Sequence, residues 1–368
     1  MILSDVCKIY DGTHQTPKYV DEGVPFYSVE HISKNDFSST KFITEDIFQK
    51  ECKRVSIEQG DVLMTRIGSV GVPKFVDWNV RASFYVSLAL FKSKTEDIHM
   101  GWLSYYIQSP NIQRNIWRLT IHVAFPKKIN LGDIGKIRMK LPSKSVQTSN
   151  YIILRSVDQK INLLTKKKEA LETYKKGLMQ KIFSQELRFK REDGTDYPEW
   201  NSKVLSEVAE IQKGKQLNKL DMDENGAYPV LNGGINWSGF TTSYNTLANT
   251  VAISEGGNSC GYVSFITTNF WSGGHNYTLE LQNDLDVKYL FHFLKYKEVD
   301  IMRLRVGSGL PNIQKKDLKR FFCDIPCLEE QRSITYILDN LDSQIDTTTR
   351  KIYISERMKK GLLQQMFA

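Results

Sequence analysis

The sequence predicts an α+β protein. Two mixed α/β globular domains are separated by a two-helix antiparallel coiled coil, and the chain forms a pseudo-twofold internal repeat. Three observations lead to this prediction. A segment of about forty residues occurs twice. Each copy carries apolar residues in a heptad pattern, which is typical of a coiled coil. Short β-rich stretches bounded by Gly, Pro, Asn and Asp occupy the rest, and they are typical of strands and turns.

The internal repeat is the clearest feature of the chain. Residues 142–184 align with residues 326–368 without a gap, at an offset of 184. The ends match best, where YKKGLMQKIF (174–183) corresponds to MKKGLLQQMF (358–367). Self-similarity at a fixed period predicts one structural unit used twice. Weaker matches extend upstream: LSDVCKI (3–9) with LSEVAEI (205–211), VLMTRIGSVG (62–71) with VAISEGGNSCG (251–261), and WLSYYI (102–107) with YLFHFL (289–294).

The repeat divides the chain into five parts. The charged, Gly- and Pro-containing stretch between the copies is typical of a linker, and the first copy shows no counterpart of it. The predicted parts are a first globular domain (1–145), a first long helix (146–185), a linker (186–203), a second globular domain (204–328) and a second long helix (329–368).

Both long helices carry their apolar residues at spacings of three and four. We expect the two stripes to pack on each other within one chain, because burial of apolar area drives association. Parallel pairing within a homodimer is the alternative. At about 1.5 Å per residue each helix would be about 55–60 Å long. The seam residues are Leu154, Ile161, Leu164, Leu171 and Leu178 in the first helix, and Leu338, Leu341, Ile345, Ile352 and Leu362 in the second.

The polar residues within these stripes have two interpretations. Lys168, Lys175, Thr348, Ser355 and Lys359 occupy seam positions. They could fix the register of the helix pair, as polar residues do in coiled coils. They could equally lie near frayed ends or face a partner.

Each globular domain is predicted to contain a twisted, largely antiparallel sheet followed by helices. The predicted helical pieces cover about 100–118 and 286–303. The predicted strands are 24–29, 60–67, 82–91, 250–255, 261–267 and 277–282.

Charge and composition limit the possible partners. Lys and Arg number 50 against 42 Asp and Glu, a net charge of +8. Residues 1–145 and 146–185 each carry +5, residues 186–328 carry −2 and residues 329–368 carry none. An excess of this kind permits a polyanionic partner without requiring one. Five scattered Cys, no signal peptide and no membrane span predict a cytoplasmic protein.

Motifs for catalysis are missing. The sequence contains no GxxxxGK[ST] phosphate loop, no GxGxxG opening a helix, no HExxH zinc motif and no Pro-Pro dipeptide of adenine methyltransferases. Asp46, Glu51 and Lys53 resemble a nuclease string, but their spacing is short for carboxylates that must converge on Mg²⁺. Cys323 and Cys327 lack a second ligand pair, so zinc is not expected. We therefore expect that the chain is not an enzyme.

Polar and basic residues in the globular domains are candidates for contacts with DNA. Arg recognises guanine and Asn recognises adenine through paired hydrogen bonds, whereas Lys and Ser hold phosphates. For any one of them an ordinary surface or turn role is also open. The candidates are His14, Thr16, Lys18, Arg66, Ser69, Arg81, Lys127 and Lys128 in the first domain, and Asn232, Asn236, Trp237, Asn258, His275, Asn276 and Lys315 in the second.

The organisation resembles that of the specificity subunits of type I restriction-modification systems. DGTHQTPKYVDEGVPF (11–26) looks like the opening of a target recognition domain of that family, and GDVLMTRIGSVG (60–71) like its strand and glycine loop. The segment 310–338 looks like the end of the second recognition domain and the start of the conserved helix. The family's Pro/Glu/Gln motif is complete at Pro326–Gln331, whereas Pro142–Gln147 lacks the Glu.

The resemblance implies a function for each part. Residues 1–145 and 204–328 would be two target recognition domains, each recognising one half of a bipartite double-stranded DNA target. The helices would space the halves and bind two modification subunits, which use S-adenosylmethionine to methylate adenine. Restriction subunits using ATP and Mg²⁺ would join them, and this chain would hold no cofactor or metal. A coiled-coil scaffold whose globular ends bind other proteins is the alternative.

Overall fold

The computed structural model describes residues 1–282, 285–307, 309 and 311–368. Leu310, the first residue of the segment 310–338 compared above, lies outside them. The chain forms two compact units. Unit 1 comprises Met1–Thr165 and Thr349–Ala368, and unit 2 comprises Lys166–Thr348. Each unit therefore holds one globular part together with a segment of each long helix.

Unit 1 contains two sheets. Strands β5, β4, β7 and β1 form an antiparallel sheet in that order, and β3, β2 and β6 form a smaller sheet in which β2 and β6 are parallel. Its strands are β1 (Cys7–Asp11), β2 (Val24–Tyr27), β3 (Lys41–Ile43), β4 (Val62–Thr65), β5 (Pro73–Phe75), β6 (Ser83–Phe84) and β7 (Leu88–Ser93). Its helices are α1 (Leu3–Val6), α2 (Val29–Lys34), α3 (Glu45–Cys52), α4 (Met100–Gln108), α5 (Pro110–Leu119) and α6 (Leu131–Gly135), followed by the first long helix α7 (Lys144–Phe183).

Unit 2 repeats this topology. Strands β13, β12, β15 and β9 form the antiparallel sheet, and β11, β10 and β14 form the smaller one, again with one parallel pair. Its strands are β8 (Asn201–Val204), β9 (Ala209–Lys213), β10 (Tyr228–Leu231), β11 (Gly239–Thr241), β12 (Thr250–Ser254), β13 (Val263–Ile266), β14 (Trp271–Ser272), β15 (Asn276–Leu281) and β16 (Phe322–Ile325). Its helices are α8 (Leu205–Val208), α9 (Val287–Tyr296), α10 (Glu298–Arg303) and α11 (Lys315–Lys319), followed by the second long helix α12 (Leu328–Met366).

Within each unit the two long helices run antiparallel. In unit 1, Lys359 near the end of α12 pairs with Asp158 near the start of α7 at 2.8 Å. In unit 2, Lys175 near the end of α7 pairs with Asp342 near the start of α12 at 2.5 Å. The two pairs are equivalent under the offset of 184, so the internal repeat extends to individual contacts. Lys175 and Lys359 therefore contact the opposite helix, as residues that fix register would.

Burial along α7 and α12 follows the predicted seam. All ten predicted seam residues are buried or half-buried, and the positions between them are mostly exposed. Leu154 and Leu338 are fully buried in the cores of unit 1 and unit 2 respectively. Thr348 and Ser355 are also buried, and Thr348 satisfies its hydroxyl by donating to the carbonyl oxygen of Gln344.

A buried glutamine fixes the start of each long helix. Gln147 Nε2 donates to the carbonyl oxygens of Pro142 and Asp97, and its Oε1 accepts from the His99 amide, all at 2.8 Å. Gln331 makes the equivalent bonds to Pro326 and the Asp286 amide at 2.9 Å. His99 and Asp286 are the N-caps of α4 and α9. Each glutamine therefore ties the start of a long helix to the start of α4 in unit 1 or α9 in unit 2.

The glutamate of the motif has a role only in unit 2. Glu330 is fully buried, and its carboxylate accepts hydrogen bonds from Arg188 at 2.9 Å and from the Trp200 indole at 3.0 Å. Arg188 and Trp200 belong to the linker, so this contact fastens the linker to unit 2. Val146 occupies the equivalent position in unit 1 and is exposed.

The structure differs from three local predictions in detail. The predicted strand 82–91 consists of two strands, β6 and β7, which belong to different sheets. Each predicted helix after the sheet is broken into two, at Ser109 and at Lys297. The predicted linker contains most of β8, which pairs with β16. The long helices span 144–183 and 328–366, compared with the predicted bounds 146–185 and 329–368.

Candidate nucleic-acid interface

In unit 1, several candidate residues lie in the loops that follow strands β1 and β4. His14, Thr16 and Lys18 follow β1 and are exposed, and Ser69 lies in the exposed turn after β4. The hairpin 121–128, which carries Lys127 and Lys128, packs on that turn: the Gly68 amide donates to the Lys127 carbonyl oxygen at 2.8 Å. Because β1 and β4 both run antiparallel to β7, the loops that follow them leave the same end of the sheet, and the hairpin packs on the loop after β4.

Asp11, at the end of β1, organises the base of these loops. Its carboxylate accepts hydrogen bonds from His14 Nε2 and Arg54 at 2.8 Å and from Arg66 at 3.3 Å. Burial alone would raise the pKa of the Asp11 carboxyl, but the hydrogen bonds from His14 and Arg54 outweigh burial, so the pKa lies below its ordinary value. Asp11 is therefore a fixed negative charge that holds three basic side chains.

A glycine follows Asp11 because the chain passes very close to β6 here. A Cβ atom added at Gly12 would lie 2.0 Å from the Phe84 carbonyl oxygen. Gly214 is the equivalent residue in unit 2, where an added Cβ would lie 2.2 Å from the Gly273 carbonyl oxygen. Only glycine tolerates such approach of two backbones.

Unit 2 has the same ion pair with its charges reversed. Lys213, at the end of β9, corresponds to Asp11, and Glu255, after β12, corresponds to Arg66. Lys213 Nζ donates to Glu255 Oε1 at 2.7 Å, and the Tyr277 hydroxyl donates to the same oxygen at 2.9 Å. The Ile313 amide donates to the Glu255 carbonyl oxygen, just as the Ile129 amide donates to that of Arg66. The backbone is conserved between the units while the side-chain charges are exchanged.

The other candidates of unit 2 lie in three turns. Asn236 and Trp237 are exposed between β10 and β11, Asn258 is exposed in the turn after β12, and His275 is exposed before β15. Asn232 and Lys315 are half-buried. His275 Nδ1 lies 3.9 Å from Glu255 Oε2, which places it beside the reversed ion pair.

Two predicted DNA contacts, Arg66 and Asn276, are buried and have structural partners. Arg66 is 8% exposed and donates to the carbonyl oxygens of Ile129 and Val86 as well as to Asp11. Asn276 is 1% exposed, and its amide donates to the Ser272 hydroxyl. Arg81 is exposed but pairs with Glu45, and its guanidinium lies over the Phe48 ring at 4.8 Å, within the small-sheet region. We therefore omit Arg66 and Asn276 from the proposed interface, and Arg81 stays a prediction.

The sequence prediction missed an apolar part of the unit 1 surface. Trp117, Val123 and Phe125 are exposed beside Lys127 and Lys128. The only signal was the string IHVAFPKK (121–128), where apolar residues adjoin a proline and two lysines outside any periodic pattern. Lys213 and Glu255 were missed because they are 42 residues apart in the sequence. They come together only when β15 pairs with both β9 and β12.

The described residues do not present a convincing metal or nuclease centre. Asp46 and Glu51 lie on one helix, α3, five residues apart, so their carboxylates do not share a face. The described residues contain one cluster of possible metal ligands, His292, Asp339 and Asp342. Its two carboxylates already pair with Lys288 and Lys175.

The cysteine pair does not have the properties of a zinc site either. Cys323 is fully buried, and among the described residues neither it nor Cys327 belongs to a group of three or more possible metal ligands. In the described part of the chain, no helix is both long and apolar enough to cross a membrane.

The chain matches relatives along its length. A type I specificity subunit of Mycoplasma pneumoniae is 31% identical over 175 residues, which cover 46% of this chain and 45% of that protein. A type I restriction enzyme specificity subunit of Methanocaldococcus jannaschii is 24% identical over 370 residues, covering 93% of this chain and 85% of that protein. The chain spans just under half the length of the Mycoplasma relatives that it matches.

Solved structures share the fold. The S subunit of a type I restriction-modification system from M. genitalium is 18% identical, and the match covers 100% of this chain and 95% of that one with a TM-score of 0.75. A chain from a structural study of type I restriction-modification complex assembly matches with a TM-score of 0.58 at 16% identity, covering 100% of this chain and 96% of that one. At such identities the likeness establishes the fold alone.

The family match covers both copies of the repeat. The family described as the type I restriction modification DNA specificity domain matches residues 1–173 and again residues 197–354. Each match contains one globular part and most of the helix that follows it. With its repeated fold, the chain belongs to the family of type I restriction-modification DNA specificity proteins.

Proposed function

We propose that this chain is the non-catalytic DNA specificity subunit of a type I restriction-modification complex. Each unit recognises one half of a bipartite DNA target. One observation carries this proposal: the two units share the same backbone arrangement but differ in the side chains at equivalent positions. The ends of β1 and β4 in unit 1, and of β9 and β12 in unit 2, hold equivalent loops. The exchanged charges of Asp11–Arg66 and Lys213–Glu255 give those loops different chemistry.

The long helices provide surfaces for partner subunits. Apolar side chains remain exposed on both helices in addition to the buried seams: Ile152, Ile153, Leu163, Tyr174, Tyr336, Tyr353, Ile354 and Met358. Exposed apolar residues beyond a folded core favour protein contacts. We propose that two modification subunits bind here, one for each copy of the repeat, and that restriction subunits join them.

The chemistry of the complex belongs to those partners. We propose that S-adenosylmethionine, ATP and Mg²⁺ bind to the modification and restriction subunits and that this chain works with them in the cytoplasm. The family match favours this function over a scaffold that binds only proteins.

DNA binding by the assembled complex tests the proposal. The chain with its modification subunits should bind duplex DNA far more tightly than the chain alone. The affinity should fall steeply with salt, because each phosphate contact releases counterions. The control is the modification subunits without this chain, which should show no preference among sequences. An assembled complex without salt-dependent DNA affinity would support the protein-binding scaffold instead.

A further inference from the structure

The hairpin 121–128 of unit 1 holds its tip in a defined position. At its base the Ile121 amide donates to the Lys128 carbonyl oxygen at 2.7 Å, and Lys128 also forms a bridge with Ile67. The Gly68 amide donates to the Lys127 carbonyl oxygen on the same side. The hairpin is therefore fastened to the turn after β4, which carries the candidate Ser69.

The tip of this hairpin is apolar and almost completely exposed. Val123 is 97% exposed and Phe125 is 104% exposed, the highest value among the large apolar side chains of the described residues. Burying a phenylalanine side chain is favourable, and this free energy is not gained within the unit. A hairpin that is hydrogen-bonded at its base and presents an unburied aromatic ring is suited to contact with a second molecule.

The surroundings of the tip favour a nucleic acid as that molecule. Residues 98–132 contain Arg114, Arg118, Lys127 and Lys128 but no Asp or Glu. A cavity of about 420 Å³ beside the hairpin is lined by Arg114, Lys127, His122 and Trp117 among others, again without a carboxylate. Positive charge attracts phosphates, and an aromatic ring stacks on bases or enters a base step as a wedge. An apolar protein surface would gain nothing from the four cations.

We propose that Phe125 contacts the bases of the half-site bound by unit 1, while Lys127 and Lys128 contact the phosphates beside it. This inference rests on the proposed function. It assigns the ring an energetic role that is specific to one half-site, since residues 305–312, which lie at the offset of 184 in the sequence, include no aromatic residue.

Salt-dependent binding separates this role from an electrostatic one. The full chain is assembled with its modification subunits. The probe is a labelled duplex of about 30 base pairs that carries the motif which this complex methylates in cells. Phe125→Ala should lower the affinity about fivefold to a hundredfold, the range for loss of one stacking contact. The factor should be the same at about 50 and about 200 mM salt, because an uncharged ring releases no counterions.

Two matched variants complete the test. Phe125→Trp, which keeps an aromatic face, should retain the affinity. Lys127→Ala should reduce the slope of log affinity against log salt by about 0.9, as expected for one phosphate contact. Phe125 is exposed, so its variants should unfold at the same temperature as the wild type.

Two results would overturn the inference while leaving the proposed function intact: binding by Phe125→Ala within twofold of wild type, or weakened assembly with the modification subunits at unchanged DNA affinity. Failure of the wild-type complex to bind the motif duplex would overturn the proposed function, and this inference with it.

Discussion

At the residue scale, charged side chains at the strand ends of each unit form ion pairs in which Asp11, Arg66 and Glu255 are largely buried. Arg66 and Asp11 in unit 1 correspond to Glu255 and Lys213 in unit 2. A single exchange would place two like charges together in a partly buried site, where the cost of an unpaired charge is high. The sequence alone suggests that Arg66 is a surface recognition residue. It does not show that the Arg66 side chain is enclosed by Asp11 and by the carbonyl oxygens of Val86 and Ile129.

Removing Arg66 tests its structural role. Arg66→Met should lower the free energy of unfolding by about 2–4 kcal/mol, because it leaves two carbonyl oxygens and the Asp11 carboxylate without a donor. Arg81→Met is the matched control, and it should cost less than about 1 kcal/mol because the Arg81–Glu45 pair is exposed. Urea denaturation of the full chain measures both. Equal stability of Arg66→Met and wild type would return Arg66 to the list of possible DNA contacts.

A second difference between the units concerns a buried titratable group. His292 is fully buried in unit 2, where its Nε2 lies 3.0 Å from Asp339 Oδ1, and Lys175 and Asp342 lie nearby. Burial lowers the pKa of His292 below its ordinary value of 6.5, an effect that its hydrogen bond to Asp339 only partly offsets. In unit 1 the corresponding residue is Tyr105, which donates to Asp158 at 2.8 Å.

The lowered pKa of His292 predicts a loss of stability in mild acid. Below pH 6.5 the unfolded chain binds a proton that the folded unit does not, so stability falls as the pH drops towards the folded pKa. The loss is at most about 1.4 kcal/mol per pH unit. Thermal denaturation at about pH 8 and about pH 5.5 should show it. His292→Gln should remove this contribution, whereas the exposed His122→Gln should keep it. An identical pH dependence in His292→Gln and wild type would contradict the assignment.

At the scale of elements, the long helices were predictable because their information is local. Their heptads and ungapped repeat are visible along one stretch of sequence, and burial follows them. The pairing of β6 with β2, and of β8 with β16, was not predictable. These strands have two and four residues, and their pairing depends on distant partners rather than on their own pattern. The candidate site followed the same rule: exposed loop residues were found, whereas ion pairs between strands were not.

The glutamine at the start of each long helix makes an element-scale prediction. Gln147→Ala should cost about 2–4 kcal/mol, because the buried His99 amide and the Pro142 and Asp97 carbonyl oxygens would lose their partner. Gln147→Glu should not restore stability, since a carboxylate cannot donate to carbonyl oxygens. The exposed Gln159→Ala on the same helix is the control and should change stability by less than about 0.5 kcal/mol. If Gln147→Ala unfolded at the same denaturant concentration as the wild type, the hydrogen bonds of Gln147 would be dispensable for stability.

At the scale of the whole molecule, one unit is used twice with different side chains. The buried glutamine and the Lys–Asp pair between the helices recur at an offset of 184. The order of the strands in the sheets recurs as well, at other offsets. The loops at the ends of the strands differ in charge and in aromatic content. The net charge follows this division, because unit 2's globular part is slightly acidic while that of unit 1 is basic. Repeated helices suit two identical partners, and divergent loops suit two different half-sites.

The central claim is that each globular part recognises its own half of the target, and methylome sequencing tests it most directly. Cells would express the modification subunits with either the wild-type chain or a variant in which residues 204–328 are replaced by the corresponding part of a relative. The wild type should methylate adenine in a bipartite motif, and the exchange should change one half of that motif while preserving the other half and the spacer. A continuous motif in the wild type, or a change in both halves after the exchange, would contradict the claim.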